Sequence, residues 1–521
     1  MAQRAVLAFG VDVGSTNTKF AAVRIDEGAV VELAASSAPT PADVPALETL
    51  LDVGLRALVA AVGRPDVVGI ASMAESGVAL GDDGVALTPI LRWDGAVDRD
   101  AVRDALDGDD PALLYALTGI SASSKVPLVL WAQLRRSRPG LRMRSWLGMA
   151  DLVAFALSGR AVTDHTLALR SMAVRRPATL PLGQPRFDAA LLARVGLTPA
   201  QLPEIVAPGG WGSAAVTGAG APGGLPAGIP VVVAGHDHLV AAWGCGARAA
   251  GDVVDSFGTS EALVRLVRGP GIPADAFAEG MSAGIDITGR FTTLLSGSAS
   301  AGRAVAAVAA RPGAQLADLR RSISPAPTDP RPADEIVLPY LFGRQSPAPD
   351  PTARARIIGG QEGSPGDSSR LLPGILDGVA LHAAWALRAL DGATEGDAPG
   401  RDAPDRDARD QGPGRDRPER GTARDDIVVA CGPDARGPAL LLRKAAAFGR
   451  GVRVPDVDEP VACSAALLAA HRALGAPAHV LPLGPSVRAT PSAEAAYAAA
   501  LDRFIAAAST RAGAGTPERT T

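Results

Sequence analysis

The stretch Ala234-Gly235-His236-Asp237-His238, followed by Asp255-Ser256-Phe257-Gly258-Thr259-Ser260, governs how the whole chain is read. Ile229–Ala234 is apolar and β-prone, so it is expected as a strand that presents Asp237 at its end. Asp252–Phe257 is expected as another strand, and it runs into a Gly-Thr-Ser turn. Phosphoryl transfer asks a protein mainly for positioning and charge handling. A carboxylate beside a turn whose N–H and hydroxyl groups can hold phosphate meets that requirement. Asp237 and the turn Gly258, Thr259 and Ser260 are therefore candidate site residues.

The N-terminus makes this pairing informative. Val6–Val13 reads as a strand, Gly14-Ser15-Thr16-Asn17 has turn chemistry, and Thr18–Ile25 alternates as a second strand, which together make a hairpin. The Gly-x-x-x-x-Gly-Lys spacing and following helix of a Walker loop are missing. Two readings stand at this point. As a phosphate hairpin, Gly14 allows close backbone approach, Ser15, Thr16 and Asn17 offer donors, Lys19 adds charge and Asp12 holds a magnesium ion through water. As an ordinary hairpin, the same residues form a polar tip.

Composition sets the bounds. With 521 residues, 47% of them apolar, and a net charge of −4, the chain is large enough for two substantial domains. Lys plus Arg number 51 against 55 Asp plus Glu, and the arginines are dispersed, which argues against a nucleic-acid partner. No apolar run reaches membrane-spanning length, and Met1–Leu7 runs straight into a strand, so the cytoplasm is the expected compartment. Cys245, Cys431 and Cys463 are too few and scattered for a disulfide framework or a cysteine zinc site.

Taken together, the three motifs resemble those of the FGGY carbohydrate kinases. Asp12-Val13-Gly14-Ser15-Thr16-Asn17-Thr18-Lys19 is similar to that family's first phosphate motif, Gly235-His236-Asp237 to its catalytic-base segment, and Phe257-Gly258-Thr259-Ser260 to its second phosphate motif. The resemblance implies an α/β fold of two actin-like ATPase (ribonuclease-H-like) domains with a catalytic cleft between them. It implies ATP and Mg2+, a small sugar as acceptor, and Asp237 as the base that takes the acceptor-hydroxyl proton. Asp12 and Asp237 become the expected metal carboxylates. His236 and His238 would flank Asp237 on opposite sides if strand geometry persists through it. A zinc reading of His-Asp-His is set aside, because hard-cation phosphoryl transfer uses oxygen ligands.

The resemblance also places a sugar pocket and exposes departures from the family pattern. Glu75, Trp93, Asp94, His236 and Asp237 are the expected substrate residues, an aromatic face and carboxylates suiting a molecule with apolar C–H faces and hydroxyl donors. Relatives carry Gln-x-His-Gly near Met73-Ala74-Glu75-Ser76-Gly77. His165 is considered as a ligand contact. In the adenine-side turn the usual glycine run is reduced to Gly432, Pro433 removes a backbone donor, and Ser464 replaces a usual glycine. The expected organisation is a sugar-binding and base domain over 1–246, a nucleotide-binding domain over 247–485, a disordered Asp/Arg/Gly/Pro-rich insertion over 392–425, and a C-terminal helix with a polar tail over 486–521. Ser296-Gly297-Ser298-Ala299 is expected to open a helix, and Leu371 to start a long crossing helix. Two other classes stay open: a sugar-binding regulatory protein of the same fold that has lost catalysis, and an actin-like ATPase. A homodimer is compatible with the chain without being read from it.

Overall fold

The computed structural model describes residues 4–95, 99–123, 125–211, 215–310, 329–359, 368–395, 426–431 and 437–510. The expected insertion lies outside them from residue 396 onward, as do Gly432, Pro433 and the tail beyond residue 510.

Two sheets organise the molecule. The first contains β1 (Val6–Val13), β2 (Asn17–Ile25), β3 (Val30–Pro39), β4 (Val67–Ser72) and β5 (Val231–His236) in the order β3-β2-β1-β4-β5. β1, β2 and β3 form an antiparallel meander, and β4 and β5 add in parallel. The second sheet contains β6 (Val253–Phe257), β7 (Glu261–Val267), β8 (Ser282–Ile285), β9 (Thr292–Ser298), β10 (Asp426–Cys431) and β11 (Gly451–Arg453), in the order β8-β9-β7-β6-β10-β11. With β8 set aside as an added edge, β6, β7 and β9 repeat the antiparallel meander, and β10 and β11 repeat the parallel additions. The second half of the chain therefore duplicates the topology of the first.

Between the sheets run two helices, α3 (Asp237–Gly244) and α7 (Pro460–Leu474), numbered after α1 (Val44–Val62) and α2 (His165–Arg170) in the first half and α4 (Ala301–Ala309), α5 (Ser368–Glu395) and α6 (Pro438–Phe448) in the second. α7 is rich in small residues, and its backbone lies on the first sheet. A Cβ at Gly10 would stand 1.8 Å from the Ala462 carbonyl oxygen, and one at Gly69 2.0 Å from that of Ala465. The two glycines in otherwise apolar strands are thus contact points for a helix backbone. Ser464 is buried at the crossing of α7 with α3, where a Cβ at Gly244 would meet its hydroxyl. That position corrects the adenine-side expectation: Ser464 serves helix packing, and its hydroxyl donates to the Pro460 carbonyl at 2.6 Å.

β9 continues through Ser298, and helix begins only at Ala301, so the Ser-Gly-Ser stretch expected to open a helix is strand. The long helix begins at Ser368, before Leu371, and carries Pro373 in its first turns. Residues between β4 and β5 build a helical insertion with its own core, in which Trp131 and Trp146 pack edge to face at 6.0 Å. Its loop at Gly119 covers the outer edge of β8, accepting from Ala283 N at 2.8 Å. Arg176 pins the same edge by donating to the carbonyls of Ala283 and Pro270.

Deep in the second half, the fully buried Lys444 of α6 donates to Asp255 of β6 and, at 2.6 Å, to Glu261 of β7. Burial, with the neighbouring Asp255 carboxylate, pushes Glu261 up to about 8 against the pull of the ammonium.

Two stability outcomes follow from this packing. Gly69→Val is expected to lower the urea midpoint by an amount corresponding to a few kcal/mol, roughly the cost of overpacking a tight core; an unchanged midpoint would contradict the backbone contact. Lys444→Met leaves two buried carboxylates without their cation and is expected to cost on the order of 3–5 kcal/mol in the same assay.

Candidate active site

Several of the segments singled out in the sequence converge with Asp237 on one cleft between the two sheets. Its walls include Ser15, Glu75, Trp93, His236, Asp237 and Ser260, and its empty volume, open mouth included, is about 640 Å3.

The two expected phosphate turns meet across it. The hydroxyls of Thr16, between β1 and β2, and Thr259, between β6 and β7, lie 3.1 Å apart. The first turn is tight: Gly14 N donates to the Asn17 carbonyl at 3.0 Å, and the Gly14 carbonyl accepts from Thr40 Oγ1 at 2.8 Å. In the second turn, Gly258 N donates to the Ser260 carbonyl at 2.8 Å. The N–H groups of Gly302 and Arg303, in the first turn of α4, donate to the carbonyls of Gly258 and Thr259. These otherwise unpaired helix donors hold the turn against α4.

Beneath the first turn Asp12 is buried on β1, opposite Lys19 of β2. Lys19 Nζ donates to Asp12 Oδ2 at 3.0 Å, and the Asp12 carboxylate drives the Lys19 pKa up against the effect of burial. Lys19 therefore spends its charge on Asp12. The other oxygen, Asp12 Oδ1, is buried with no protein partner. An unpaired buried carboxylate oxygen is costly unless something else satisfies it, and a hydrated magnesium ion is chemically suited to do so.

Asp237 begins α3, so strand geometry stops at His236. This corrects the expectation that the two histidines would flank Asp237 on opposite sides. Their rings lie edge to face with centroids 5.1 Å apart, and both Nε2 atoms face Asp237 Oδ1, at 3.3 Å from His236 and 3.9 Å from His238. The ligand atoms of His236, Asp237 and His238 lie within 4.8 Å of one another. His238 Nδ1 is hydrogen-bonded to Ser256 Oγ at 2.8 Å, and His238 N donates to Asp237 Oδ1 at 2.7 Å. Burial drives His236 well below its ordinary pKa, with His238 and Arg170 adding to the effect, so its imidazole is neutral near pH 7.

The Asp237 carboxyl is pushed above its ordinary range, first by burial and further by the Asp12 and Glu75 carboxylates, with His238 opposing. Among the described residues no Lys or Arg nitrogen stands within 4 Å of it. The surrounding carboxylates differ. Glu75 accepts from Arg170 Nε at 2.9 Å and is further bonded by Nη2. Asp94 is paired with Arg92 at 3.0 Å and, from α4, with Arg303 at 3.3 Å. Asp94 is not among the residues lining the cleft, whereas Glu75 and Trp93 are. The backbone N–H of Trp93 donates to Ser76 Oγ at 3.2 Å.

Further residues line the cleft. Arg170, at the end of α2, lies in no motif, and only the fold brings it near Asp237; Gln345, on a loop of the second half, lines the cleft as well. Lys125 lines it too, its ammonium 4.9 Å from the centroid of the Trp93 ring. His165 is elsewhere: fully buried, it places Nε2 2.9 Å from the Asp286 carbonyl oxygen. Its neighbour Asp164 is held far below the ordinary carboxylate range despite burial by His165 and Arg472, with Arg472 Nη1 at 2.9 Å.

Comparison with known proteins agrees with this architecture. Residues 57–244 match the N-terminal domain model, and residues 256–473 the C-terminal domain model, of the FGGY family of carbohydrate kinases. L-fuculokinase of Escherichia coli (strain K12) is 30% identical over 200 residues, covering 38% of this chain and 41% of that protein. The matched stretch thus spans less than half of the curated relative. Among solved structures, a gluconate kinase from Lactobacillus acidophilus superposes with a TM-score of 0.76 at 18% identity, covering 96% of this chain and 97% of its own. A xylulose kinase from Rhodospirillum rubrum gives 0.72 at 20%, covering 97% and 98%. These likenesses extend over the two-domain, actin-like fold from end to end. With both of its domain models matched in order along most of the sequence, the chain belongs to the FGGY family of carbohydrate kinases.

Proposed function

We propose that this protein transfers the γ-phosphoryl group of ATP to a hydroxyl of a small sugar or sugar derivative, with Asp237 as general base. The observation that carries the reading is the contrast among carboxylates. Asp12, Glu75 and Asp94 each have a Lys or Arg partner, and Asp237 faces the cleft with imidazoles and its neighbour's N–H instead. A carboxylate held by a guanidinium is a poor proton acceptor, because the cation stabilises its ionised form. Asp237 has the opposite bias, and a raised pKa brings a base closer to the pH at which it works.

In this reading the acceptor hydroxyl sits against Asp237, which takes its proton as the oxygen attacks phosphorus. Ser15 and Thr16 on one turn, with Thr259 and Ser260 on the other, hold phosphate oxygens from opposite sides; the 3.1 Å approach of Thr16 to Thr259 supports that division. Asp12, through its unpartnered Oδ1, would hold magnesium, with Asp237 as the second carboxylate. Magnesium, when bound, neutralises charge on the β- and γ-phosphate oxygens. The neutral His236, with Nε2 facing Asp237 Oδ1, orients the carboxylate without protonating it. Trp93 and Glu75 line the cleft on the side assigned to the sugar.

Asp237→Asn keeps the shape and removes the base, so sugar-dependent ADP release is expected to fall by roughly 10²-fold or more. Wild-type-like turnover would rule out the assignment. In the wild type, kcat/KM is expected to fall as pH drops, because protonated Asp237 cannot accept a proton. The midpoint of that fall should lie above about 3.9, the ordinary value for an aspartate, as the raised pKa requires. If the protein binds sugar but neither binds MgATP in calorimetry nor releases ADP, a sugar-binding protein of the same fold becomes the better reading.

A further inference from the structure

The cleft holds a cation whose chemistry is not absorbed by the transfer step. Lys125 precedes the helix Pro127–Ser137, and its ammonium stands over Trp93 and donates to Gln345 Oε1 at 2.8 Å. That acceptor is an uncharged amide. The carboxylates that act on Lys125 through space are Glu75 and Asp94, and both are already committed, Glu75 to Arg170 and Asp94 to Arg92 and Arg303. Among the described residues no carboxylate oxygen stands within 4 Å of the Lys125 ammonium. Burial works against the charge, lowering the Lys125 pKa.

An ammonium lining a ligand cleft, with one neutral acceptor and one aromatic face, leaves bonding capacity directed at whatever enters. A neutral polyol can meet it only with hydroxyl oxygens. A carboxylate meets it with a charge-assisted hydrogen bond, roughly twice as strong as a neutral one. Trp93 supplies the apolar wall for the C–H face of the same molecule, and Asp237 lines the same cleft.

Building on the kinase reading above, we infer that the acceptor is an acidic sugar, an aldonate or uronate, whose carboxylate pairs with Lys125 while a hydroxyl lies at Asp237. The phosphate oxygens of ATP are the other anions in reach of this cleft, and the phosphate turns Ser15-Thr16 and Thr259-Ser260 already provide for them. Glu75, neutralised by Arg170, then adds hydroxyl recognition without repelling the acid. The pocket thus selects by charge at one end and by hydroxyl position at the other.

The test measures MgATP-dependent ADP release by wild type, Lys125→Met and Lys125→Arg. Acceptors are offered as matched pairs, each aldonate or uronate beside the neutral polyol or aldose of the same chain length. In the wild type, kcat/KM for the acid is expected to exceed that of its neutral partner by about ten-fold or more, the range of a hydrogen bond to a charged group. Lys125→Met should bring the ratio toward one, chiefly by raising KM for the acid, and Lys125→Arg should keep it above one. A wild type that prefers neutral acceptors overturns the inference without any variant. A ratio that survives Lys125→Met overturns it as well, as does a Lys125→Met effect confined to KM for MgATP, which would hand the lysine to phosphate. Turnover of neutral sugars alone defeats the acid assignment and leaves the kinase standing. Silence with every acceptor defeats the kinase reading and the assignment with it.

Discussion

The seat of helix α7 on the first sheet is the constraint from which the rest of the site follows. Its backbone occupies space that a side chain at position 10 or 69 would fill. Held that close, α7 fixes α3 through the Gly244–Ser464 crossing and reaches the far side of the interface with Arg472. That guanidinium bonds the buried Asp164 and faces the carbonyls of Val233, Ala234 and Ile287. Asp164 in turn accepts from the Thr166 hydroxyl at 2.6 Å, and that same hydroxyl oxygen accepts from His236 N at 2.9 Å. A chain of buried bonds therefore runs from α7 to the residue before Asp237. The position of Asp237 is set by packing remote from the cleft.

Electrostatics follow the same logic of exclusion. A cleft that handles phosphate and magnesium collects acidic groups, and uncompensated acids repel both one another and the nucleotide. Here each is given a partner suited to its depth: Lys19 for Asp12, Arg170 for Glu75, Arg92 and Arg303 for Asp94, Lys444 for Asp255 and Glu261. What distinguishes Asp237 is the absence of such a partner among the described residues, together with burial that raises its pKa. It is this difference in environment, more than residue type, that separates Asp237 from the other acids near it.

Much of this was legible in the sequence because it is local. The hairpin β1–β2, the strand β5 and the Gly-Thr-Ser turn are written as alternation, β-branched runs and turn residues within ten positions of one another, and the structure builds them where those patterns lie. The histidine geometry was misjudged because a strand pattern was carried one residue too far. Asp237 stands before Leu239-Val240-Ala241-Ala242, an apolar run with an acidic residue in its first turn, which is also a helix-start signature. Glu75 and Asp94 were visible as carboxylates, but their arginines sit 95 and 209 positions away in the case of Arg170 and Arg303, and no local pattern encodes such a pairing. The same holds for Ser464: a serine in a run of alanines looks like a lost glycine until α3 is seen packed against it.

The links between the two halves divide by depth, and the division bears on how ligands enter. Arg472 with Asp164 is buried on both sides, and Arg176 makes four bonds to the backbone and side chains around β8 and β9. Removing Arg472 strands a buried carboxylate that water does not reach, which makes that connection expensive to break. The contacts around the cleft are of another kind. Thr16 with Thr259 is exposed, Arg303 with Asp94 is about a quarter exposed on each side, and Lys125 bonds an exposed Gln345. Water can replace each of them, and an exposed ion pair is worth no more than about 1 kcal/mol. The halves are therefore joined through buried contacts in the interior and exposed ones at the mouth, so on the proposed kinase reading the mouth is where they would part to admit a sugar or a nucleotide. Closure would then restore these small contacts and exclude the water that would compete with an acceptor hydroxyl for the phosphoryl group.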